Sequence, residues 1–194
     1  MSKYNLYVED VSVEAVFNKL GGVTGAKRFL ADELVLREMP KSEPAPEPVI
    51  DSVIRVDRSV KLVYPDWMKK VMHLEFENTG PAEYDGAKLE QWLHDGQKDG
   101  WVKGQKIYEH LKKERMLETC IGFADLLEIQ KKGIVFFRKH FQGKAVFGWR
   151  SVMQHRDDYL HVPYLYEYGD EVVLHWIWLV GDWDGNDPAL RFAS

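Results

Sequence analysis

A short proline-rich stretch divides this chain into two parts. Residues 39–48 hold four of the eight prolines in the 194-residue sequence. Proline lacks a backbone N–H and has a fixed φ, so such a stretch favours extended, solvated chain over a packed element. We therefore predict a helical N-terminal module at 1–38, a proline-rich linker at 39–48 and an α+β main domain at 49–194.

The single cysteine excludes disulfide-stapled proteins and zinc-cluster proteins. Cys120 can neither form an intramolecular disulfide nor supply a four-cysteine zinc cluster, and its apolar neighbours favour a buried, inert thiol. The N-terminus lacks the apolar segment of a signal peptide, and no run approaches the roughly 18 apolar residues of a membrane span. We expect a cytoplasmic protein that does not bind membranes.

Apolar spacing predicts helices before residue 142. Val13, Val16, Phe17 and Leu20 follow the i, i+3, i+4, i+7 pattern, and Thr24 is a candidate cap for a second helix, which together indicate a helical hairpin. A half-exposed strand is predicted within 53–63. Further helices are predicted at 66–72, 85–93, 107–111, 126–129 and 134–141, with a strand over 134–137 as an alternative.

The last fifty residues change character. β-branched and aromatic residues dominate 145–153, 159–168 and 172–180, and turn residues separate these runs. This pattern predicts an antiparallel C-terminal sheet of about three to five strands. Short helices followed by strands indicate an α+β fold, with the helices packed on the sheet.

Several long residue strings are specific enough to compare with known groups of proteins. They are KLGGV at 19–23, KRFL at 27–30, IYEHLK at 107–112, LEIQKKG at 127–133, GKAVFGW at 143–149, VPYLYE at 162–167 and NDPALRF at 186–192. In these strings the chain resembles uncharacterised hypothetical proteins of candidate-phylum bacteria. The resemblance implies a bacterial, intracellular protein whose helical N-terminal module recurs beside different C-terminal parts. It implies no activity and no site residues.

Charge is distributed unevenly along the chain. Residues 98–156 contain thirteen basic and six acidic residues, a net +7, whereas 157–194 contain one basic and eight acidic residues, a net −7. Four of the basic residues recur seven apart and would share a helical face that could meet phosphates, namely Lys131, Lys132, Arg138 and Lys139. The alternative is a solvated helical surface that the acidic C-terminal segment partly neutralises.

Two aromatic stripes follow the predicted C-terminal strands. By the two-residue period of a strand, Tyr164 and Tyr166 share one face of the first strand, and Trp176 and Trp178 share one face of the next. If the stripes align, they form one aromatic surface that could stack bases or sugars. The alternative is that the rings form core, beneath helices and on a central strand.

A set of histidines and carboxylates lies around the same hairpin. His161, Glu167 and His175 are candidate catalytic residues if the strands bring them together, as a hydrolase would require. Scattered polar residues on a half-exposed sheet give the same pattern. No histidine has zinc-site spacing, and the acidic loop at 182–187 lacks the glycine and final glutamate of a calcium loop, so we expect an Asx-rich turn and no metal.

These features favour association over catalysis. We expect no cofactor, because P-loop, dinucleotide and nucleophile-elbow motifs are all missing from the sequence. The leading hypothesis is a non-catalytic binding or interaction protein with a protein partner. The alternatives are a hydrolase that uses the hairpin histidines, a nucleic-acid-binding protein that uses the basic helical face, and a self-associating structural protein.

Overall fold

The computed structural model describes residues 13–33 and 50–193. The chain divides into two units, Met1–Pro48 and Val49–Ser194. The linker predicted at 39–48 lies outside the described residues. Within the described residues, no helix is long and apolar enough to cross a bilayer.

The first unit contains the predicted helical hairpin. Its helices are α1 (Val13–Lys19) and α2 (Gly22–Leu30). Gly21 and Gly22 join them with φ of 83° and 72°, a left-handed conformation that glycine adopts at little cost. Since this turn lets α2 begin at Gly22, Thr24 lies inside the helix, and the prediction that it caps α2 is wrong.

The second unit combines short helices with short strands, as the α+β prediction required. Its helices are α3 (Asp95–Lys98), α4 (Gly104–Lys113), α5 (Phe123–Lys131) and α6 (Gly133–Phe141). Its strands are β1 (Val53–Arg55), β2 (Met68–Val71), β3 (Glu83–Asp85), β4 (Glu90–Trp92), β5 (Val102–Lys103), β6 (Val146–Phe147), β7 (Met153–His155), β8 (Leu160–Tyr168), β9 (Glu171–Trp178), β10 (Asp182–Trp183) and β11 (Ala189–Arg191).

Within residues 50–193, seven strands form the main sheet, in the order β2, β7, β8, β6, β11 and β4, with β9 on the other side of β8. Strand β8 pairs with β7 near its start, with β6 further along, and with β9 over its whole length. The sheet is larger than predicted because β2 and β4 join it from earlier in the chain, and it is not wholly antiparallel, because β6 and β11 are parallel.

Helices pack on both faces of the β8–β9 hairpin. Leu165 and Val172 pack against α5 and α6, on what we call the α5–α6 face. Val162 and Ile177 belong to the core cluster that contains the buried residues of α4, on what we call the α4 face. Helices therefore cover each face, as expected for at least one of them, but the expectation that the last long strand is central is wrong, since β9 pairs only with β8 within residues 50–193.

Several local predictions are corrected by pairing between distant parts of the chain. The segment predicted as a helix at 66–72 contains β2, which pairs with β7, and the one at 85–93 contains a short 3₁₀ turn and β4, which pairs with β11. The strand predicted within 53–63 extends only over β1. The run 145–153 is interrupted by a 3₁₀ turn, Trp149–Ser151. The alternative of a strand over 134–137 is wrong, because these residues belong to α6.

Candidate functional site

The register of the β8–β9 hairpin decides where the aromatic stripes lie. Pro163 lies opposite Trp176, and Tyr164 lies opposite His175. Residues directly opposite one another in an antiparallel pair share a face. Trp176 and Trp178 therefore lie on the α5–α6 face and Tyr164 and Tyr166 on the α4 face, which corrects the prediction of one shared aromatic surface.

The tyrosines form a stack on the α4 face. The Tyr164 ring stacks on Phe147, with centroids 5.0 Å apart, and on Tyr166 at 5.4 Å. Tyr166 borders a shallow groove of about 630 Å³ that Lys144 and Asp187 also line. Tyr164 is thus part core and part surface.

The three candidate catalytic residues do not meet. His161 and Glu167 share a face but are six residues apart along β8, a separation of about 20 Å. Glu167 accepts a 2.7 Å hydrogen bond from Arg138 Nε. His175 lies on the other face, with its ring 5.9 Å from Tyr164. The site predicted for a hydrolase is therefore not assembled.

Acidic residues neutralise most of the predicted basic face. Arg138 pairs with Glu167 at 2.7 Å and with Asp170 at 3.0 Å, both from the acidic C-terminal segment. Lys131 pairs with Glu128 at 2.6 Å, and Lys132 pairs with Asp51 at 2.7 Å, while Lys139 is exposed. Of these four residues, Arg138 pairs with the acidic C-terminal segment, and Lys131 and Lys132 pair with acids elsewhere in the chain.

Cys120 and the acidic loop at 182–187 have the environments that the sequence predicts. Cys120 is fully buried, and burial raises the pKa of its thiol to about 12, so the thiolate nucleophile is scarce at neutral pH. The acidic loop after β10 is an Asx turn, in which Asp184 Oδ1 accepts a 2.7 Å hydrogen bond from the Asn186 amide. Within the described residues, no group of three histidine, cysteine or acidic side chains is placed to hold a metal.

A cleft of about 230 Å³ lies on the α5–α6 face, near the start of α5, where the Phe123 ring is 5.2 Å from Trp176. We call it the tryptophan cleft. It is lined by Trp67, His155, His161, Trp176 and Trp178, and also by His175, although the register places the side chain of His175 on the α4 face. Sequence reasoning missed Trp67, because this residue precedes β2 and meets the hairpin only through the β2–β7 pairing.

The rings of the cleft meet at steep angles. Trp67 lies 5.0 Å from His161 and 5.7 Å from Trp176 between centroids, and the planes of the two indoles meet at 84°. The His161 and Trp178 rings lie 5.9 Å apart at 90°. Edge-to-face contacts of this kind are favourable for aromatic pairs, and Trp67 makes a further, tilted contact with His155 at 5.2 Å.

The histidines of the cleft differ in environment. His161 is 4% exposed, and burial lowers the pKa of its imidazole, so the ring is neutral at neutral pH. His155 Nδ1 lies 2.6 Å from an oxygen of Asp157, a carboxylate that is about half exposed. The cleft therefore combines aromatic faces with one neighbouring negative charge.

The cleft opens beside the outer edge of β9. The Leu179 amide donates a 3.0 Å hydrogen bond to the Leu160 carbonyl, so residues 177, 175 and 173 direct their backbone groups toward β8. The backbone groups of the alternate residues point away from β8, namely those of 172, 174, 176 and 178. The Val172 carbonyl accepts a bond from Gln130 on α5, but within residues 50–193 the backbone groups of Leu174 and Trp176 have no partner.

Strand β9 also lacks the usual protection of an edge. Natural edge strands are commonly interrupted by proline, lysine or a bulge that prevents pairing with another chain. Over Glu171–Trp178, the one charged residue is Glu171 at the start, and the eight residues pair with β8 without a register shift. The edge is therefore regular and offers the backbone groups of Leu174 and Trp176 to another strand, while the Trp178 carbonyl already accepts from the Gly181 amide.

A second polar cluster, beneath the loop that precedes β3, is closed. Asp125 is fully buried and is held by Arg58 at 2.6 Å, by the Tyr84 hydroxyl at 3.1 Å and by the Gly122 amide at 2.9 Å. Arg150, 2% exposed, lies nearby. The space among these side chains has no room for a water molecule, so the cluster fastens the loop to α5 rather than receiving a ligand.

Comparison with known proteins gives no match to a family model, to a curated protein or to a solved structure. Function therefore has to be inferred from the side chains and backbone groups of the cleft and the β9 edge.

Proposed function

We propose that this chain is a non-catalytic binding protein of the bacterial cytoplasm that adds an extended segment of a partner protein to the edge of β9. The observation that carries the proposal is the row of outward backbone groups on Leu174 and Trp176 beside the tryptophan cleft. In strand addition, backbone hydrogen bonds supply affinity and pockets for alternate side chains supply specificity. The β9 edge offers backbone hydrogen-bonding groups, and the cleft offers a pocket for a side chain.

Charge favours a basic partner segment. Four of the eight acidic residues at 157–194 pair with lysine or arginine, so the negative charge near β9 comes from the other carboxylates. Asp157 lies beside the cleft, and Glu171 stands at the start of β9. Electrostatic complementarity would orient a basic segment and speed its encounter with this edge.

The other functions considered have less support. Nucleic-acid binding through the basic helical face would require Lys131, Lys132 and Arg138 to leave their acidic partners. A second copy of β9 could occupy the same edge, because antiparallel pairing about a two-fold axis is self-complementary. The experiment below distinguishes a second copy of the chain from a partner protein.

Backbone methylation of a peptide tests strand addition directly. The probe is a fluorescein-labelled peptide as long as β9, of alternating threonine and valine with lysine at its centre. Methylating the amides that face β9 should weaken binding about tenfold or more, because each lost hydrogen bond contributes about 1 kcal/mol. Fluorescence anisotropy gives both affinities.

The matched control is the same peptide methylated on the alternate amides, which face solvent. It should bind within about twofold of the parent peptide, since no hydrogen bond to β9 is lost. Equal binding by all three peptides, or no binding by any, would overturn the proposal. A dimer in light scattering that the peptide does not dissociate would assign the edge to a second copy and overturn the partner proposal.

A further inference from the structure

We infer that the tryptophan cleft receives a lysine-type cationic side chain of the bound segment. This inference rests on the proposed function, because it requires a strand on β9 to deliver the side chain. Alternate side chains of an added strand point to the same face of the sheet. One set therefore projects onto the α5–α6 face, where Trp176 and Trp178 lie.

The walls of the cleft suit a cation. An ammonium group is attracted to the face of an aromatic ring, most strongly to tryptophan, and surrounding several faces removes it from water without loss of this attraction. Trp67 and Trp176 present indoles at 84°, and Trp178 is 56% exposed at the mouth. A cation in the cleft would lie among these three indoles, of which Trp178 also stacks on Tyr159 at 6.3 Å.

The charged groups around the cleft also favour a cation. Asp157 supplies a carboxylate beside His155. Of the nearby basic side chains, Lys69 pairs with Asp158 at 2.6 Å, and Arg156 donates to the Asp66 carbonyl. Asp158 thus neutralises Lys69, whereas the Arg156 guanidinium keeps its charge and is directed at the Asp66 carbonyl.

The size of the cleft favours a single side chain. Its volume of about 230 Å³ is below the 300–1,000 Å³ typical of pockets that enclose a drug-sized ligand. One lysine or trimethyllysine side chain is small enough to enter while its backbone lies along β9. The chemical class recognised is thus an ammonium or quaternary ammonium group on an extended chain.

The test compares four peptides that differ only at the central residue of the threonine–valine probe. These residues are lysine, trimethyllysine, norleucine and the uncharged carbon isostere of trimethyllysine, in which a tert-butyl group replaces the trimethylammonium. The trimethyllysine peptide should bind about tenfold more tightly than its isostere, as expected for a partly desolvated cation on tryptophan faces. Lysine should likewise bind more tightly than norleucine.

A pair of variants locates the effect. Trp178→Leu should reduce the preference for trimethyllysine over the isostere to about twofold or less, because it removes one ring face. Tyr168→Leu removes a 71% exposed ring on the opposite face and should leave the preference unchanged.

Failure of the inference can be told from failure of the proposed function. One outcome is that the isostere binds as tightly as trimethyllysine while methylation of the peptide amides that face β9 still abolishes binding. In that case the cleft does not select for charge, and the strand-addition proposal is retained. If none of the four peptides binds, both proposals are overturned. An equal loss of preference in Trp178→Leu and Tyr168→Leu would also overturn the inference.

Discussion

Replacing Asp125 with alanine is expected to lower the free energy of unfolding by about 3–5 kcal/mol, the usual cost of removing one partner from a buried ion pair. Asp125 is 0% exposed and receives both terminal nitrogens of Arg58, at 2.6 and 3.3 Å. Without the carboxylate, the Arg58 guanidinium keeps its charge in a largely buried site, and the N-terminus of α5 loses the bond from the Gly122 amide. Urea denaturation followed by circular dichroism measures the change.

The matched control for Asp125→Ala is Glu83→Ala. Glu83 pairs with Arg55 at 2.8 Å, but both side chains are more than 60% exposed. Exposed pairs contribute about 0–1 kcal/mol, so this variant should denature nearly as the parent protein does. A loss below about 1 kcal/mol for Asp125→Ala would mean that the ion pair does not fasten the loop before β3 to α5.

The second large effect is expected for Trp149→Ala, which should cost about 3–5 kcal/mol. Trp149 is fully buried on the α4 face, with its ring 5.1 Å from Trp183 and 6.5 Å from Tyr108. Among the described residues its indole nitrogen has no hydrogen-bond partner, so its contribution comes from packing. Truncation leaves a cavity that neighbouring rings fill only in part.

Trp101→Ala is the comparison for Trp149→Ala. Trp101 is 67% exposed, and surface substitutions of this kind usually change stability by less than about 0.5 kcal/mol. The midpoint temperatures of thermal unfolding should therefore differ clearly between the two variants. Similar midpoints would contradict the assignment of Trp149 to the centre of the core on the α4 face.

Local patterns in the sequence were sufficient for the longer elements. The spacing of Ile107, Tyr108 and Leu111 predicted α4, and all three side chains are buried. The runs at 159–168 and 172–180 predicted β8 and β9 to within about two residues. These elements carry enough apolar residues at one period to specify their own conformation.

The short strands could not be predicted, because their conformation depends on distant partners. Met68 and Val71 fit a helical face as well as a strand, and only pairing with β7 decides between them. The β8–β9 register could not be predicted from local sequence either, because a shift of one residue moves a whole stripe to the other face of the sheet. Trp176 and Trp178 could therefore be identified as candidates, but neither their separation from the tyrosines nor the contribution of Trp67 could be predicted.

Strand addition requires an open edge on β9, and amide hydrogen exchange measured by NMR tests this edge residue by residue. In the free protein, the Leu174 and Trp176 amides should exchange faster than those of Val173 and His175, which face β8. Saturating threonine–valine–lysine peptide should slow exchange at Leu174 and Trp176 and leave Val173 and His175 nearly unchanged. Slow exchange at Leu174 and Trp176 before peptide is added, or no slowing afterwards, would contradict strand addition at this edge.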